Sequence, residues 1–187
     1  MKSKADMATT VITPDKLAAT RHTWPHLFLA GSIEQGKASD WQSDAIKFYG
    51  AQQELDELVI VNPRREIWDA TMEQKIENRE FNFQVSFELD HLEKADAVVM
   101  WLEPGTLSPI SLFELGLLTG WTSAGLLNKL VIGCPEGFWR KGNVEVVTSR
   151  YRIQLVSTFD EMLSEGYTIL KRNHQRRTEF STYSSIR

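Results

Sequence analysis

Hydrophobic residues occur along the chain in short runs that alternate with longer segments of mixed polarity. Five short, mainly apolar segments are typical of strands, and the run at 97–102 is typical of a strand covered on both faces. They lie at 27–30, 58–61, 96–102, 129–133 and 152–156, and a run at 10–13 could add an edge strand. This pattern predicts an α/β fold: a doubly wound, flavodoxin- or Rossmann-like parallel sheet of about five strands with helices on both faces.

Helical periodicity and capping signals fill the gaps between these strands. A Ser or Thr three residues before Glu or Gln marks possible helix starts at Ser39, Ser111 and Thr158. The predicted helices are 39–55, 79–94, one that begins at 111, 143–149 and 158–170. In the helix at 79–94, Glu88 and Gln84 share an otherwise apolar face, which is uncommon for a carboxylate without a partner.

The length of 187 residues and the absence of an internal linker predict one main domain. We expect an N-terminal extension at 1–26, the α/β domain at 27–170 and a basic C-terminal tail at 171–187. The tail carries five Lys or Arg residues and one Glu, and its composition favours a disordered or loosely docked segment.

Charge and motif content exclude several classes of function. The net charge is −4 and the tail is basic, so the body is acidic, which argues against a binder of nucleic acid polymers. No long apolar stretch predicts a membrane span, and the single Cys134, expected to be buried, favours a cytoplasmic protein. Neither a metal-ligand pattern nor a phosphate-loop motif occurs, so we expect no metal and no cofactor.

Two carboxylates are the candidates for chemistry at the end of the central strand. Glu88 lies on the helix before that strand and Glu114 near the start of the helix after it. Paired carboxylates in one cleft can divide nucleophilic and proton-transfer roles, which suits cleavage of a glycosidic bond. Two simpler interpretations stay open: Glu114 could cap its own helix through Ser111, and Glu88 could be an exposed or ion-paired helix residue.

Candidate substrate contacts come from loops at the same edge of the predicted sheet. Gly31, Ser32 and Ile33 follow the first strand, where free backbone N–H groups can bind an anion. Arg64 follows the second strand, beyond a proline that stops strand pairing, although this segment could equally be a solvated surface loop. Trp41, Trp68 and Trp101 could stack on a base, although tryptophan more often packs in a core.

Four motifs between residues 27 and 143 resemble those of the nucleoside 2-deoxyribosyltransferase-like superfamily, which includes the 5′-monophosphate deoxynucleoside N-hydrolases. They are FLAGSIEQG, NPRR, FNFQVSFEL before ADAVVMW, and SPISLFELG. The resemblance implies that Glu114 is a nucleophile that forms a covalent deoxyribosyl-enzyme, with overall retention of configuration. It also implies that Glu88, eight residues before Asp96, is the acid/base, at a position where the family usually has Asp.

The resemblance extends to the substrate pocket and to assembly. Ser108 matches a serine of the monophosphate hydrolases, Ser111 lies in the same motif, and the loop that begins at Gly31 looks like their phosphate-holding loop. Asn143 resembles a residue that reaches into a neighbouring subunit, which implies a homodimer or larger assembly. Phe28 stands where many members have a tyrosine that binds the nucleophile.

The expected function is therefore cleavage or transfer of the N-glycosidic bond of 2′-deoxyribonucleosides or their 5′-monophosphates. Two alternatives remain. One is a glycohydrolase of NAD or another nucleotide, and the other is a non-catalytic nucleotide-binding sensor, which the missing tyrosine hydroxyl at Phe28 favours.

Overall fold

The computed structural model describes residues 8–34, 37–52, 54–55, 57–67, 71–125 and 128–184. Its strands are β1 (Ala8–Ile12), β2 (His26–Gly31), β3 (Glu57–Val61), β4 (Ala97–Trp101), β5 (Leu130–Gly133) and β6 (Gln154–Val156). Its helices are α1 (Trp41–Gly50), α2 (Arg79–Lys94), α3 (Pro109–Ser123), α4 (Lys141–Tyr151) and α5 (Phe159–Ser184). Within the described ranges the strands form one parallel sheet, in the order β1-β3-β2-β4-β5-β6.

Helices cover both faces of this sheet, so the predicted doubly wound α/β fold is confirmed. Successive residues of a strand point to opposite faces, and the core divides accordingly. Phe28 and Val98 belong to the cluster that packs against α2, α3 and α4, whereas Leu27 and Val99 belong to the cluster that packs against α1 and α5. The central strands are apolar throughout because both of their faces are buried.

The strand order reverses between β2 and β4. From β2 the chain crosses to β3 on one side, and from β3 it returns to β4 on the other side of β2. The loops after β2 and β4 therefore leave the carboxyl edge of the sheet in different directions and open a crevice between them. Ligands of doubly wound proteins bind at this point, so the strand order alone predicts a binding site in this crevice.

The sheet differs from the prediction at its two edges. The run at 10–13, predicted only as a possible edge strand, overlaps β1, which ends at Ile12 and pairs with β3, so the sheet has six strands rather than about five. At the other edge β6 begins at Gln154 and not at 152, because Arg152 adopts a left-handed conformation as the C-cap of α4. Helix α4 itself is longer than the predicted 143–149.

Helix α1 begins later and ends earlier than predicted. Its N-cap is Asp40, whose side chain accepts hydrogen bonds from the Ser43 backbone and hydroxyl. Ser39, the predicted cap, instead donates its hydroxyl to Glu103 at 2.8 Å, which ties the loop after β2 to the loop after β4. No helix in the described part of the chain is both long enough and apolar enough to cross a bilayer.

The last helix corrects the prediction that it ends near Leu170 and is followed by a loose basic tail. Helix α5 continues to Ser184, and its second half is held by the start of β4. The Arg177 guanidinium donates to both carboxylate oxygens of Asp96, at 2.7 and 2.9 Å. Asn173, which is fully buried, donates to the Asp96 carbonyl at 2.9 Å. Periodicity alone does not reveal this docking, because both contacts are made with Asp96, which precedes β4 and lies more than seventy residues away in the chain.

Candidate active site

Three buried hydroxyl groups join the loops after β2 and β4 at the crevice. The Ser32 hydroxyl lies 2.6 Å from that of Ser108 and 2.8 Å from that of Thr106, and the latter two are also 2.8 Å apart. Ser32 also accepts a hydrogen bond from the Glu103 N–H at 2.9 Å. The structure therefore brings together two predicted site residues, Ser32 and Ser108, that are 76 positions apart in the chain.

Gly31 is required for this junction. Its φ is +130°, and a Cβ at this position would lie 2.2 Å from the Trp101 carbonyl oxygen. The close approach of the β2 and β4 ends lets the Ser32 N–H donate to the same carbonyl at 2.8 Å. Any larger residue would separate the two loops that form the crevice.

A carboxylate already occupies the backbone donors next to the hydroxyl cluster. The Glu34 carboxylate accepts hydrogen bonds from the N–H of Leu107 and, at 2.8 Å, from the N–H of Ser108. Ser108 adopts a left-handed conformation just before α3 begins, and there the N–H groups of Leu107 and Ser108 face Glu34. This internal anion was missed by the sequence analysis, although Glu34 directly follows the predicted anion-binding residues 31–33.

Glu114 lies in the second turn of α3 and not in its first. The helix begins at Pro109, because proline at the first position has no N–H to lose, and Ser108 is its N-cap. The capping interpretation of Glu114 is therefore wrong: this side chain is only 7% exposed and lies on the same buried face as Ser111 and Leu115. None of the described residues donates a hydrogen bond to its carboxylate.

Burial changes the acidity of Glu114. The loss of hydration raises the pKa of its carboxyl group to about 8, and the negative charge of Glu88 adds to this rise. At neutral pH the carboxyl group of the free protein is therefore mainly protonated. Glu88 is therefore close enough to Glu114 to influence the pKa of its carboxyl group, and a shared substrate site for the two stays a prediction.

Glu88 is embedded in a chain of polar contacts. Its carboxylate accepts a hydrogen bond from the Gln84 amide at 2.6 Å, and the Gln84 carbonyl oxygen accepts one from Arg65 Nε, also at 2.6 Å. Burial raises the pKa of Glu88, whereas the hydrogen bond from Gln84 and the positive charge of Arg65 lower it. The interpretation of Glu88 as an exposed surface residue is thus not supported, and its partner is an amide rather than a direct ion pair.

Arg64 and Trp41, two further predicted substrate contacts, instead donate hydrogen bonds to backbone carbonyl groups of the loop after β2. Arg64 donates to the carbonyl oxygen of Ser39 at 2.8 Å and to Gln42 at 3.1 Å, which fixes the start of α1. Trp41 is only 3% exposed and donates to the Ser32 carbonyl at 2.9 Å, so it has no free ring face for stacking. Trp68, another possible stacking residue, lies outside the described residues.

Three further predicted residues occupy distinct surroundings. Ser111 is buried on the inner face of α3, one turn before Glu114, while Ile33 is half-buried in the loop after β2. Asn143 is exposed on α4, where it lines a groove of about 320 Å³ between α3 and α4. Phe28 is completely buried beneath α2, α3 and α4 and brings no hydroxyl group to that face of the sheet. Among the described residues, no cluster of three or more His, Cys, Asp or Glu side chains could hold a metal ion.

Comparison with known protein families gave a match over more than half of the chain. A family model described as "nucleoside 2-deoxyribosyltransferase like" matches residues 24–138. The matched span runs from just before β2 to the loop before α4, and it contains both carboxylates and the hydroxyl cluster. No curated protein matches the chain.

Proposed function

The chain belongs to the nucleoside 2-deoxyribosyltransferase-like family, and on that premise we propose that it cleaves or transfers the N-glycosidic bond of 2′-deoxyribonucleosides or their 5′-monophosphates. Glu114 is the nucleophile and Glu88 the acid/base in this proposal. The observation that supports it most is the electrostatic coupling of the buried Glu114 carboxyl group with the half-buried Glu88, on the helices that flank the central strand β4.

The proposed reaction has two steps. In the first, a Glu114 oxygen bonds to C1′ of the sugar as the bond from C1′ to the base breaks, and the base nitrogen takes the proton of Glu88. In the second, water or an acceptor base attacks C1′, Glu88 accepts the released proton, and Glu114 leaves. Attack by water gives hydrolysis, and attack by a second base gives transfer.

The reaction needs a proton on Glu88 and a charged Glu114. Burial raises the pKa of both carboxyl groups, that of Glu114 to about 8, whereas the hydrogen bond from Gln84 and the positive charge of Arg65 lower that of Glu88. In the free protein these influences favour a protonated Glu114. We therefore propose that the proton passes from Glu114 to Glu88 when the substrate fills the crevice, since the two groups titrate as a coupled pair.

Glu34 favours free nucleosides over 5′-monophosphates. Its carboxylate occupies the N–H groups of Leu107 and Ser108, two backbone donors beside the hydroxyl cluster whose members Ser32 and Ser108 resemble the hydrolases' phosphate site. A phosphate there would face a fixed negative charge and find these donors occupied. This consideration opposes the sequence-based argument from Ser108, which pointed toward phosphorylated substrates.

The experiment is a product analysis with matched variants. The protein is incubated with deoxynucleosides, deoxynucleoside monophosphates and NAD, with and without an acceptor base, and the products are separated by chromatography. Free base indicates hydrolysis, exchanged base indicates transfer, and nicotinamide indicates a glycohydrolase of NAD. Glu114→Ala should abolish the product while circular dichroism remains unchanged; product formation by this variant would reject the mechanism.

We also propose that the protein is cytoplasmic and forms a homodimer or a larger homo-oligomer through α3, α4 and the loops before them. This surface exposes the apolar side chains of Leu107, Ile110, Phe113, Trp139 and Val146, with exposed fractions of 49 to 70%. Such a patch is typical of an interface, and Asn143 borders it. Sedimentation of the wild type and of Phe113→Lys tests the proposal: a monomeric wild type would overturn it.

A further inference from the structure

Arg65 and Gln84 form a buried connection between the loop after β3 and the acid/base carboxylate. The Arg65 side chain is 9% exposed and Gln84 is 5% exposed, so solvent screens their contacts weakly. Both hydrogen bonds in the series, from Arg65 to Gln84 and from Gln84 to Glu88, measure 2.6 Å. These are shorter than ordinary amide hydrogen bonds, as expected where a charged group takes part.

The orientation of Gln84 is determined by its partners. Its carbonyl oxygen must accept, because Arg65 can only donate, so its amide nitrogen is left to donate. That nitrogen donates to the Glu88 carboxylate at 2.6 Å and also to the Pro63 carbonyl at 3.1 Å. With two acceptors in place, the amide cannot rotate without losing every contact, and it therefore presents an N–H to one Glu88 oxygen only.

We infer that Arg65 and Gln84 are positioning residues for Glu88: together they hold one oxygen of its carboxylate and favour its charged form, which leaves the other oxygen to exchange the proton. This inference deepens the proposed function and rests on it, because the acid/base role of Glu88 is part of that proposal. The physical connection itself, from cation to amide to carboxylate, stands independently of turnover.

The position of the cation explains why the connection matters to chemistry. Arg65 also donates to the exposed carboxylates of Glu80 and Asp15, at 2.9 and 3.2 Å, so its charge is anchored on both sides. A guanidinium stays charged throughout the accessible pH range, and its effect on Glu88 does not vary with pH. Glu88 can thus give up its proton in the first step and remain a stabilised anion until the second.

The test is a titration of the individual carboxyl groups in the full-length protein. Glutamate labelled with ¹³C at its carboxyl carbon is incorporated, Glu88→Gln and Glu114→Gln assign the two signals, and both are followed by NMR against pH. In Arg65→Met and in Gln84→Leu we expect Glu88 to titrate at higher pH than in the wild type. A general loosening of the fold would hydrate the carboxyl group and move its titration to lower pH, so a rise distinguishes loss of the connection from loosening.

Two variants serve as controls. Glu80→Gln removes an exposed partner of Arg65 but leaves the connection intact, so both titrations should match the wild type. Arg65→Lys keeps the charge, and its titrations should lie closer to the wild type than those of Arg65→Met. Unchanged titration of Glu88 in both Arg65→Met and Gln84→Leu would overturn the inference.

Kinetics distinguish this outcome from failure of the proposed function. If the wild type turns over nucleosides, the kcat of Gln84→Leu should fall on the order of a hundredfold at pH 7 with a smaller change in KM, because a misdirected acid affects the chemical step. In Arg65→Met the pH dependence of kcat should move in the direction of the Glu88 titration. A wild type without turnover on any substrate would reject the proposed function, while the NMR titration would still decide on the connection.

Discussion

The burial of Glu114 should make the protein less stable as the pH rises, and replacement of this residue should remove the effect. Its carboxyl group has a pKa of about 8 when folded, against an ordinary value of 4.5. A raised pKa means that the folded state favours the protonated form. The stability that this form provides is complete below the unfolded pKa and is lost as the pH rises through the folded one.

The size of the effect follows from the difference between the two values. Since one pKa unit corresponds to 1.36 kcal/mol, Glu114 lowers the free energy of unfolding, relative to its value below pH 4.5, by about 5 kcal/mol above pH 8 and by about 3 kcal/mol at pH 7. Glutamine has the shape of the protonated acid and no charge to bury. We therefore expect Glu114→Gln to match the wild type near pH 4.5 and to exceed its free energy of unfolding by a margin of this order at pH 8 to 9.

Urea denaturation of both proteins at intervals from pH 5 to pH 9 measures this difference. Glu145→Gln is the matched control, because Glu145 is also a helical glutamate but is exposed on α4, and it should follow the wild type at every pH. Parallel stability curves for the wild type and Glu114→Gln would refute the reasoning that Glu114 is buried at an energetic cost. The same variant should be inactive, so increased stability and lost catalysis would arise from one substitution.

Three other substitutions test separate features. Glu34→Gln should raise kcat/KM for deoxynucleoside monophosphates relative to free deoxynucleosides, on the order of tenfold to a hundredfold, because a fixed negative charge is removed; an unchanged ratio in a steady-state assay would reject this role. Gly31→Ala should lower the free energy of unfolding by more than about 3 kcal/mol, since the added Cβ meets the Trp101 carbonyl, and a urea titration that matches the wild type would contradict this. Arg177→Met should lower the free energy of unfolding by about 3 kcal/mol in the same urea titration, because buried Asp96 loses the guanidinium that it binds. The control Arg176→Met, at an exposed position of the same helix, should have little effect.

The sequence predicts the fold well because its strongest signals are local. The run before Leu102 has no polar interruption, and helix α2 has the predicted bounds because Asn78 caps it and its apolar period is regular. The two candidate carboxylates are also found from sequence, since one breaks an apolar helix face and both flank the central strand. These inferences need no information from distant parts of the chain.

Predictions from the sequence are wrong where long-range contacts decide between local alternatives. Serine at 111 has capping-box spacing to Glu114, but the actual N-cap is Ser108, whose left-handed backbone is stabilised from another loop by Glu34. In the same way, the Ser39 hydroxyl donates to Glu103 and does not cap α1 as predicted. A local pattern cannot show which of two hydroxyl groups a remote carboxylate will engage.

The Asp96 contacts have a consequence for how the chain is made. This single carboxylate at the start of a central strand binds the N–H of His26, near one end of the chain, and the guanidinium of Arg177, near the other. While α5 is still inside the ribosomal exit tunnel, Asp96 lacks the guanidinium that it binds in the folded protein. The contact that fixes the start of β4 can therefore form only after α5 has left the tunnel, when every strand of the described sheet has already been synthesised.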